Sequence, residues 1–402
     1  MSARGLRGDA AIVGIAEWPA ERRYEGPRAF TLEQWAELAA TALDDAGLEA
    51  GAMDGLVCSD IREASMFVPA TVAEYLGRPV NLAERVDLGG ATAVGMVWRA
   101  AAAIELGLCD VVVCALPSRP IPSNPQKGPP DPRRWLGSSS GEWGSPQAEF
   151  EIPFGNVAQN VGYATIARRY AETWGYDPRA LAKISADQRV NANANPLAAF
   201  HGEAITVDDV LASPMIADPL HRLEIVMPCA GGLAVVVASK ETAARCRHRP
   251  AFVTGFGERL TIKTPTFAED MTVTPVGAAA AQAFAMAGRR PEEMDAAQIY
   301  DCYTITALLT LEDAGFCAKG EGCRFVTEHD LSYRGDFPMN TGGGQLGAGQ
   351  PGLAGGMVQV VEGARQVMGR GEARQVDGCD AVFVTGTGGV MSEQSALVLE
   401  GG

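Results

Sequence analysis

GGATAVGMVWRAAAAIELGLCDVVVCAL, Gly89–Leu116, and GQPGLAGGMVQVVEGARQVMGRGEARQVDGCDAVFVTG, Gly349–Gly386, are one phrase written twice. Each opens on a glycine-rich turn, continues as a helix of small and apolar residues, passes through Cys-Asp, and ends in an unbroken apolar run. Such a run, with no polar alternation, is expected of a strand covered on both faces.

An earlier phrase repeats as well. AAIVGIAE (Ala10–Glu17) reads as a strand, Thr31–Asp54 as an alanine-rich helix with its link, and GLVCSD (Gly55–Asp60) as a strand. The same order recurs in AFVTGFGE (Ala251–Glu258), Thr274–Asp295 and AAQIYDC (Ala296–Cys302). Both helices end in Ala-Gly, and an aspartate (Asp54, Asp295) stands just before the second strand. The sequence therefore reads as two similar α/β halves, residues 1–248 and 249–402, packed about a pseudo-twofold axis with two central helices back to back.

Residues 117–220 interrupt this pattern with an excursion rich in Pro, Gly, Ser and Asn. Within it, Asn156–Gly175 reads as a helix. An excursion this long is more often a lid or binding region than a plain connector. Trp135, Trp143 and Phe154 either cover a flat apolar substrate or pack the lid on itself.

The chain of 402 residues is 47% hydrophobic with a formal net charge of -16. That charge argues against nucleic acid and against anionic membrane surfaces. It leaves an anionic small ligand open, because Pro125–Trp135 is locally basic. The nine cysteines form no CxxC pair, the N-terminus lacks an apolar signal core, and no apolar run approaches a spanning length. A cytoplasmic protein with reduced thiols is expected. Metal-ligand spacings and paired carboxylates are not found, so no metal site is expected.

GGGQLGAGQPG (Gly342–Gly352) holds GxGxxG twice, yet only 50 residues follow it. That is too short for the βαβαβ unit such a fingerprint opens. No Lys-Ser/Thr completes a phosphate loop either. The glycines are read as turn and close-packing residues.

Taken together, the duplicated halves, YDCYTITALLTLEDAGFC (Tyr300–Cys317), MNTGGGQLGAGQPG (Met339–Gly352) and VTGTGGVMSEQSALVL (Val384–Leu399) resemble the thiolase superfamily, and within it the sterol-carrier-protein-type branch. The resemblance spans nearly the whole chain. It implies an α/β fold of two duplicated βαβαβ halves, each with a five-stranded core, in an α-β-α-β-α layering. It also implies an acyl-CoA substrate, a pocket between the halves under the excursion, and a homodimer.

The departures from that family carry the chemistry. A thiolase has a nucleophilic cysteine at the N-terminus of the first central helix, where backbone N–H groups lower its pKa. Gly90 stands at that place here, with Thr92 nearby. The second family cysteine falls near Thr385, the Gly-His-Pro histidine is Gln350, and the His-Asp-Cys-Phe histidine is Tyr300. The chain therefore resembles the cysteine-less, lipid-transfer-protein-like aldolases of steroid side-chain degradation. These cleave β-hydroxyacyl-CoA with a small partner of zinc-ribbon and OB-fold type. Their two catalytic tyrosines match Tyr300, which is kept, and the position of Gln350, which is not.

Retro-aldol cleavage needs a base for the β-hydroxyl proton and donors for the enolate, but no covalent intermediate. Coenzyme A enters only as part of the substrate, and no permanently bound cofactor is expected. Tyr300 is the candidate base or relay, and Gln350 a candidate amide donor or else a structural loop amide. Asp301 is a candidate to orient Tyr303 or to tie a loop. Gly90, Thr92, Tyr303, Asn340, Gly349, Thr385 and Gly388 are the candidate substrate and CoA contacts. An acyltransferase of the thiolase type, or a non-catalytic acyl-CoA-binding subunit, are the alternatives.

Overall fold

The computed structural model describes residues 5–123, 143–261 and 265–402. Eleven strands follow in chain order: β1 (Ala10–Glu21), β2 (Gly55–Cys58), β3 (Leu82–Arg85), β4 (Val111–Pro117), β5 (Met215–Ala217), β6 (Leu220–His221), β7 (Ala230–Ser239), β8 (Ala251–Leu260), β9 (Ala296–Gln298), β10 (Ala381–Gly388) and β11 (Glu393–Gly401). Nine of them form one sheet in the order β3-β2-β4-β7-β1-β8-β11-β10-β9, and β5 pairs with β6 apart from it. The two halves meet at β1 and β8, which share the pairs Ala11↔Phe252 and Ile12↔Ala251.

The apolar runs are buried on both faces, as their composition requires. Val112, Cys114 and Leu116 of β4 face one core, and Val111, Val113 and Ala115 face another. In β10, Val382 and Val384 face the first core while Phe383 points to a third. That first core holds the helices Thr92–Glu105 and Gly355–Val367, which touch each other and strands of both halves. The helices Thr31–Ala46 and Val276–Ala287 cover the outer faces. This is the expected five-layer arrangement.

The duplication extends to single atoms. Gly47 and Gly288 end the outer helices with φ of 76° and 67°, the left-handed turn that favours glycine. Asp54 accepts from the N–H groups of Asp110 and Val111, at 3.0 and 2.8 Å. Asp295 accepts from those of Asp380 and Ala381, both at 2.8 Å. In each half one carboxylate thus joins the start of one strand to the start of its neighbour.

Two features differ from expectation. The first half has five strands in the sheet, but the second has four among the described residues. The fifth is reduced to a single bridge, Ala297↔Met339. Pro338 before it offers no N–H, and Asn340 after it turns the chain away at φ 51°. The excursion also holds two long helices, Gln159–Trp174 and Pro178–Asn193. The second, not expected from the sequence, is started by Pro178 and capped by Asp177, whose side chain accepts from the Arg179 N–H. Trp135 lies outside the described residues, while Trp143 and Phe154 stand in solvent.

Candidate active site

The segment after β9 carries Tyr300, and three anchors hold it. The Ile299 N–H donates to Asn340 Oδ1 at 2.6 Å, and the Tyr300 N–H donates to Thr385 Oγ1 at 3.0 Å. The Asp301 carboxylate accepts from the N–H groups of Gln345 and Leu346, at 2.7 and 3.3 Å, and from Gln359 Nε2 at 3.0 Å. These bonds fix the Tyr300 segment against the glycine loop on one side and against β10 on the other.

The glycine loop brings Gln350 to the phenol. Gln350 is pinned through its backbone: its N–H donates to Met227 O at 3.0 Å, and its carbonyl accepts from the Cys229 N–H at 3.1 Å. Its Nε2 then donates to the Tyr300 hydroxyl at 3.2 Å. Gly349 sits at φ 100°, with Cys229 Sγ 2.9 Å from where a Cβ would lie, so only glycine fits.

Gly90 closes the constellation from the opposite half. A Cβ at residue 90 would overlap the Tyr300 hydroxyl and Thr387 O. Gly386 and Gly356 have no room for a side chain because Gly90 O and Ala91 press on them, and Gly388 packs on Leu88 O. The N-termini of both central helices therefore meet beside Tyr300, Gly90 and Gln350. Two helix N-termini favour negative charge at that point.

The other candidates separate by what they touch. Thr92 is fully buried, and its Oγ1 accepts from the Leu88 N–H at 2.9 Å, so its hydroxyl ties the turn. Thr385 and Asn340 hold the Tyr300 segment, as above. Tyr303 stacks on Tyr163 of the excursion, with ring centroids 4.0 Å apart, and its hydroxyl donates to Asn160 Oδ1. The excursion thus packs directly on the residues next to Tyr300. A cavity of about 510 Å³ lies along this excursion, lined by Val161, Arg168, Arg169 and Met271, and it does not include Tyr300 or Gln350. Among the described residues, no group of three His, Cys, Asp or Glu side chains is placed to hold a metal ion.

Burial pushes the Tyr300 phenol above its ordinary value, with Cys302 adding to the rise, while the amides of Gln350 and Gln345 pull the other way. Tyr300 is therefore a neutral phenol at rest. Burial also pushes Asp301 up to about 7, against the pull of its N–H donors. The side chains of Gln345 and Asn160 escape a sequence reading. In GGGQLG, Gln345 has the one polar side chain among glycines and a leucine, and that was the available signal.

Residues 257–401 match the family described as thiolase C-terminal domain-like. A steroid side-chain-cleaving aldolase of Thermomonospora curvata is 33% identical, over 95% of this chain and 96% of its own. The chain belongs to the thiolase superfamily. The match to sterol carrier protein 2 of Gallus gallus, 28% identical over 54% of this chain and 40% of its own, is consistent with the sterol-carrier-protein-type branch. A 17-hydroxy-3-oxo-4-pregnene-20-carboxyl-CoA lyase of Mycobacterium tuberculosis is 31% identical over 98% of this chain and 100% of its own. The solved structure of an Ltp2–ChsH2 aldolase superposes with a TM-score of 0.85 at 32% identity, covering 98% of each chain.

For a thiolase-superfamily protein the thiols here are in an inert state. All nine cysteines are unpaired, and burial raises the pKa of each. Cys302 and Cys229, the two nearest the constellation in sequence and packing, are both pushed up to about 12. Neither is a thiolate at neutral pH. No helix among the described residues is long and apolar enough to cross a membrane.

Proposed function

We propose that this chain cleaves a carbon–carbon bond of a β-hydroxyacyl-CoA by retro-aldol reaction. The observation that carries this reading is the Tyr300 hydroxyl lying over Gly90, in the space a family nucleophile would fill, and hydrogen-bonded to Gln350. The chemistry follows from the atoms available. The β-hydroxyl loses its proton, the Cα–Cβ bond breaks, and its electron pair passes into the thioester enolate. A ketone or aldehyde leaves, and the enolate takes a proton at Cα to give the shortened acyl-CoA. The net change moves one proton from oxygen to carbon. Redox chemistry is not involved, so coenzyme A is needed only as part of the substrate.

Tyr300 serves as the relay. The phenol first releases its proton to solvent, the transient phenolate takes the β-hydroxyl proton, and the re-formed phenol returns a proton to the enolate at Cα. The second N–H of Gln350 and the two helix N-termini favour the enolate oxygen. Asp301, Asn340 and Thr385 hold Tyr300 in place, Gly90, Gly349 and Gly388 allow the close approach of Tyr300, Cys229 and Leu88 that shapes the site, and Thr92 and Tyr303 shape the walls.

The names of the full-length relatives make a steroid acyl-CoA with a β-hydroxyl the first substrate to test. A homodimer, joined by a small zinc-ribbon and OB-fold subunit, is the assembly we propose, guided by the two-component name of the solved aldolase. Nine free thiols suit a reducing cytoplasm.

The test is direct. The protein, alone and with candidate partner subunits, is incubated with β-hydroxyacyl-CoA esters, and products are read by mass spectrometry. Appearance of the shortened acyl-CoA together with its carbonyl fragment is expected, with no acyl adduct on the protein. Intact ester in every combination, despite measurable ester binding, overturns the reading.

A further inference from the structure

Gln345 lies on the short helix Gly344–Ala348, five residues before Gln350. Its side chain is fully buried, yet among the described residues neither Nε2 nor Oε1 has a hydrogen-bond partner. Its backbone is not free to move: the N–H is held by Asp301 Oδ1 at 2.7 Å. Burying an unpaired amide is costly, so such a group stands out in a site where most polar atoms are satisfied.

The direction of the side chain gives the amide a purpose. Gln345 Oε1 lies 2.5 Å, and Gln350 Cγ 2.8 Å, from the point a Cβ on Gly355 would occupy. The two glutamines thus flank one glycine at the head of the second central helix. Gln350 reaches the Tyr300 phenol directly, and the Gln345 amide is near enough to favour its ionised form. A phenol oxygen has two lone pairs and one proton. Gln350 Nε2 uses one lone pair. The second is open to an amide at the position of Gln345.

We propose that Gln345 is a positioning residue for Tyr300, its Nε2 donating to the phenol oxygen as the proton leaves, so that the transient phenolate is held between two amides. This rests on Tyr300 being the proton relay. A neutral phenol is a weak acceptor, and with Gln350 already donating to it the Gln345 amide lies outside hydrogen-bond geometry. A phenolate is a strong one, and a charge-assisted bond forms when it is needed. The arrangement lends the proton out without a nearby cation. The phenol O–H is left to point at substrate.

The test titrates Tyr300 with no substrate present, so its outcome is separate from whether any hydroxyacyl-CoA is cleaved. Tyr300 is replaced by a polyfluorinated tyrosine, whose phenol ionises at accessible pH, and the titration is followed by ¹⁹F resonance. Gln345→Met keeps the volume and removes the donor; it is expected to lower the ionisation constant about 10-fold, as loss of one bond to a charged oxygen implies. Gln345→Glu, of the same size, is expected to lower it further. An unchanged titration in either folded variant overturns the proposal. In the active protein, Gln345→Met should lower kcat about 10-fold with KM within about 2-fold. A rise in KM at constant kcat also overturns it, because that assigns Gln345 to substrate binding.

Discussion

The hydroxyl of Tyr300 occupies the volume that a side chain on Gly90 would need. The two residues come from opposite halves of the duplication, 210 positions apart, and each explains the other. A phenol at residue 300 excludes a cysteine at residue 90, and a glycine at residue 90 gives the phenol its place. Loss of the family nucleophile and gain of a tyrosine are one steric event. Gly90→Cys is therefore expected to produce no thiolase. The clash with the Tyr300 hydroxyl and Thr387 O should lower stability by about 1–3 kcal/mol, the usual range for overpacking. Thermal melts and an acyl-CoA thiolysis assay check this. Thiolysis by the variant would break the link between the two positions.

Tyr300→Phe removes one oxygen and leaves the ring and the backbone anchors to Thr385 and Asn340 intact. The fold should persist, with the melting temperature within a few degrees of the parent. Turnover of a hydroxyacyl-CoA should fall about 10²–10⁴-fold, the range for loss of a general acid–base group. Near-normal turnover in a folded Tyr300→Phe protein removes the phenol from the mechanism.

Gln350→Leu tests the donor apart from the loop. Met227 O and the Cys229 N–H hold the backbone of residue 350, so the loop stays where it is when the side chain changes. The expected outcome is a loss in kcat of about 10–100-fold with little change in stability, as one hydrogen bond to developing charge is removed. A large fall in melting temperature instead assigns Gln350 to the fold.

The duplication was legible because its signals are local. Ala-Gly helix ends, an aspartate before each second strand, and apolar runs each depend on neighbours in sequence. The structure makes Asp54 and Asp295 equivalent down to their hydrogen bonds. The helix Pro178–Asn193 was harder to read, because its buried face is mixed: Leu181 and Ile184 pack in a core, while Gln188, Arg189 and Asn191 are buried beside them. Asn191 Nδ2 donates to Met339 O at 2.8 Å, and Asn195 just beyond the helix donates to Gly342 O at 2.9 Å. Residues that look like loop composition are the ties that hold the glycine loop from outside. Likewise Gln345 reads as one more loop polar residue until its burial is known. The meeting of Tyr300, Gln350 and Gly90 was implied by family likeness; no spacing in the chain encodes it.

Asp301 gives a pH signature. Its pKa is raised by burial from 3.8 to about 7, so the folded state keeps a proton that the unfolded chain has lost. Its contribution to stability is full below about pH 4 and declines as pH rises to about 7, where it levels off. Asp301→Asn cannot titrate. The stability of the parent relative to this variant, from denaturant unfolding, should therefore fall between about pH 4 and pH 7. A difference that grows over that window contradicts the burial account of Asp301.

Glu362 should behave in the opposite sense. It is buried at the base of the glycine loop, where its carboxylate accepts from Thr341 Oγ1 at 2.8 Å, Arg365 Nη1 at 2.8 Å and Arg374 Nε at 3.0 Å. Arg365 also bridges to Glu17 of β1 at 2.6 Å, so this cluster ties the second central helix to the first strand. Burial alone would raise its pKa, but Arg374 and Arg365 overcome it and hold the carboxyl at about 2, below the ordinary 4.5. A lowered folded-state pKa stabilises the protein above about pH 4.5 and loses that contribution as pH falls toward 2. Glu362→Gln leaves two buried guanidinium groups short of a partner and should cost about 3–5 kcal/mol at pH 7. The gap between parent and variant should then narrow steadily below pH 4.5, because the parent carboxylate is being protonated while the amide is not. Paired denaturant titrations at pH 7, 5, 4 and 3 read this out. A gap that stays constant with pH would mean that packing around residue 362, rather than its charge, holds the base of the loop.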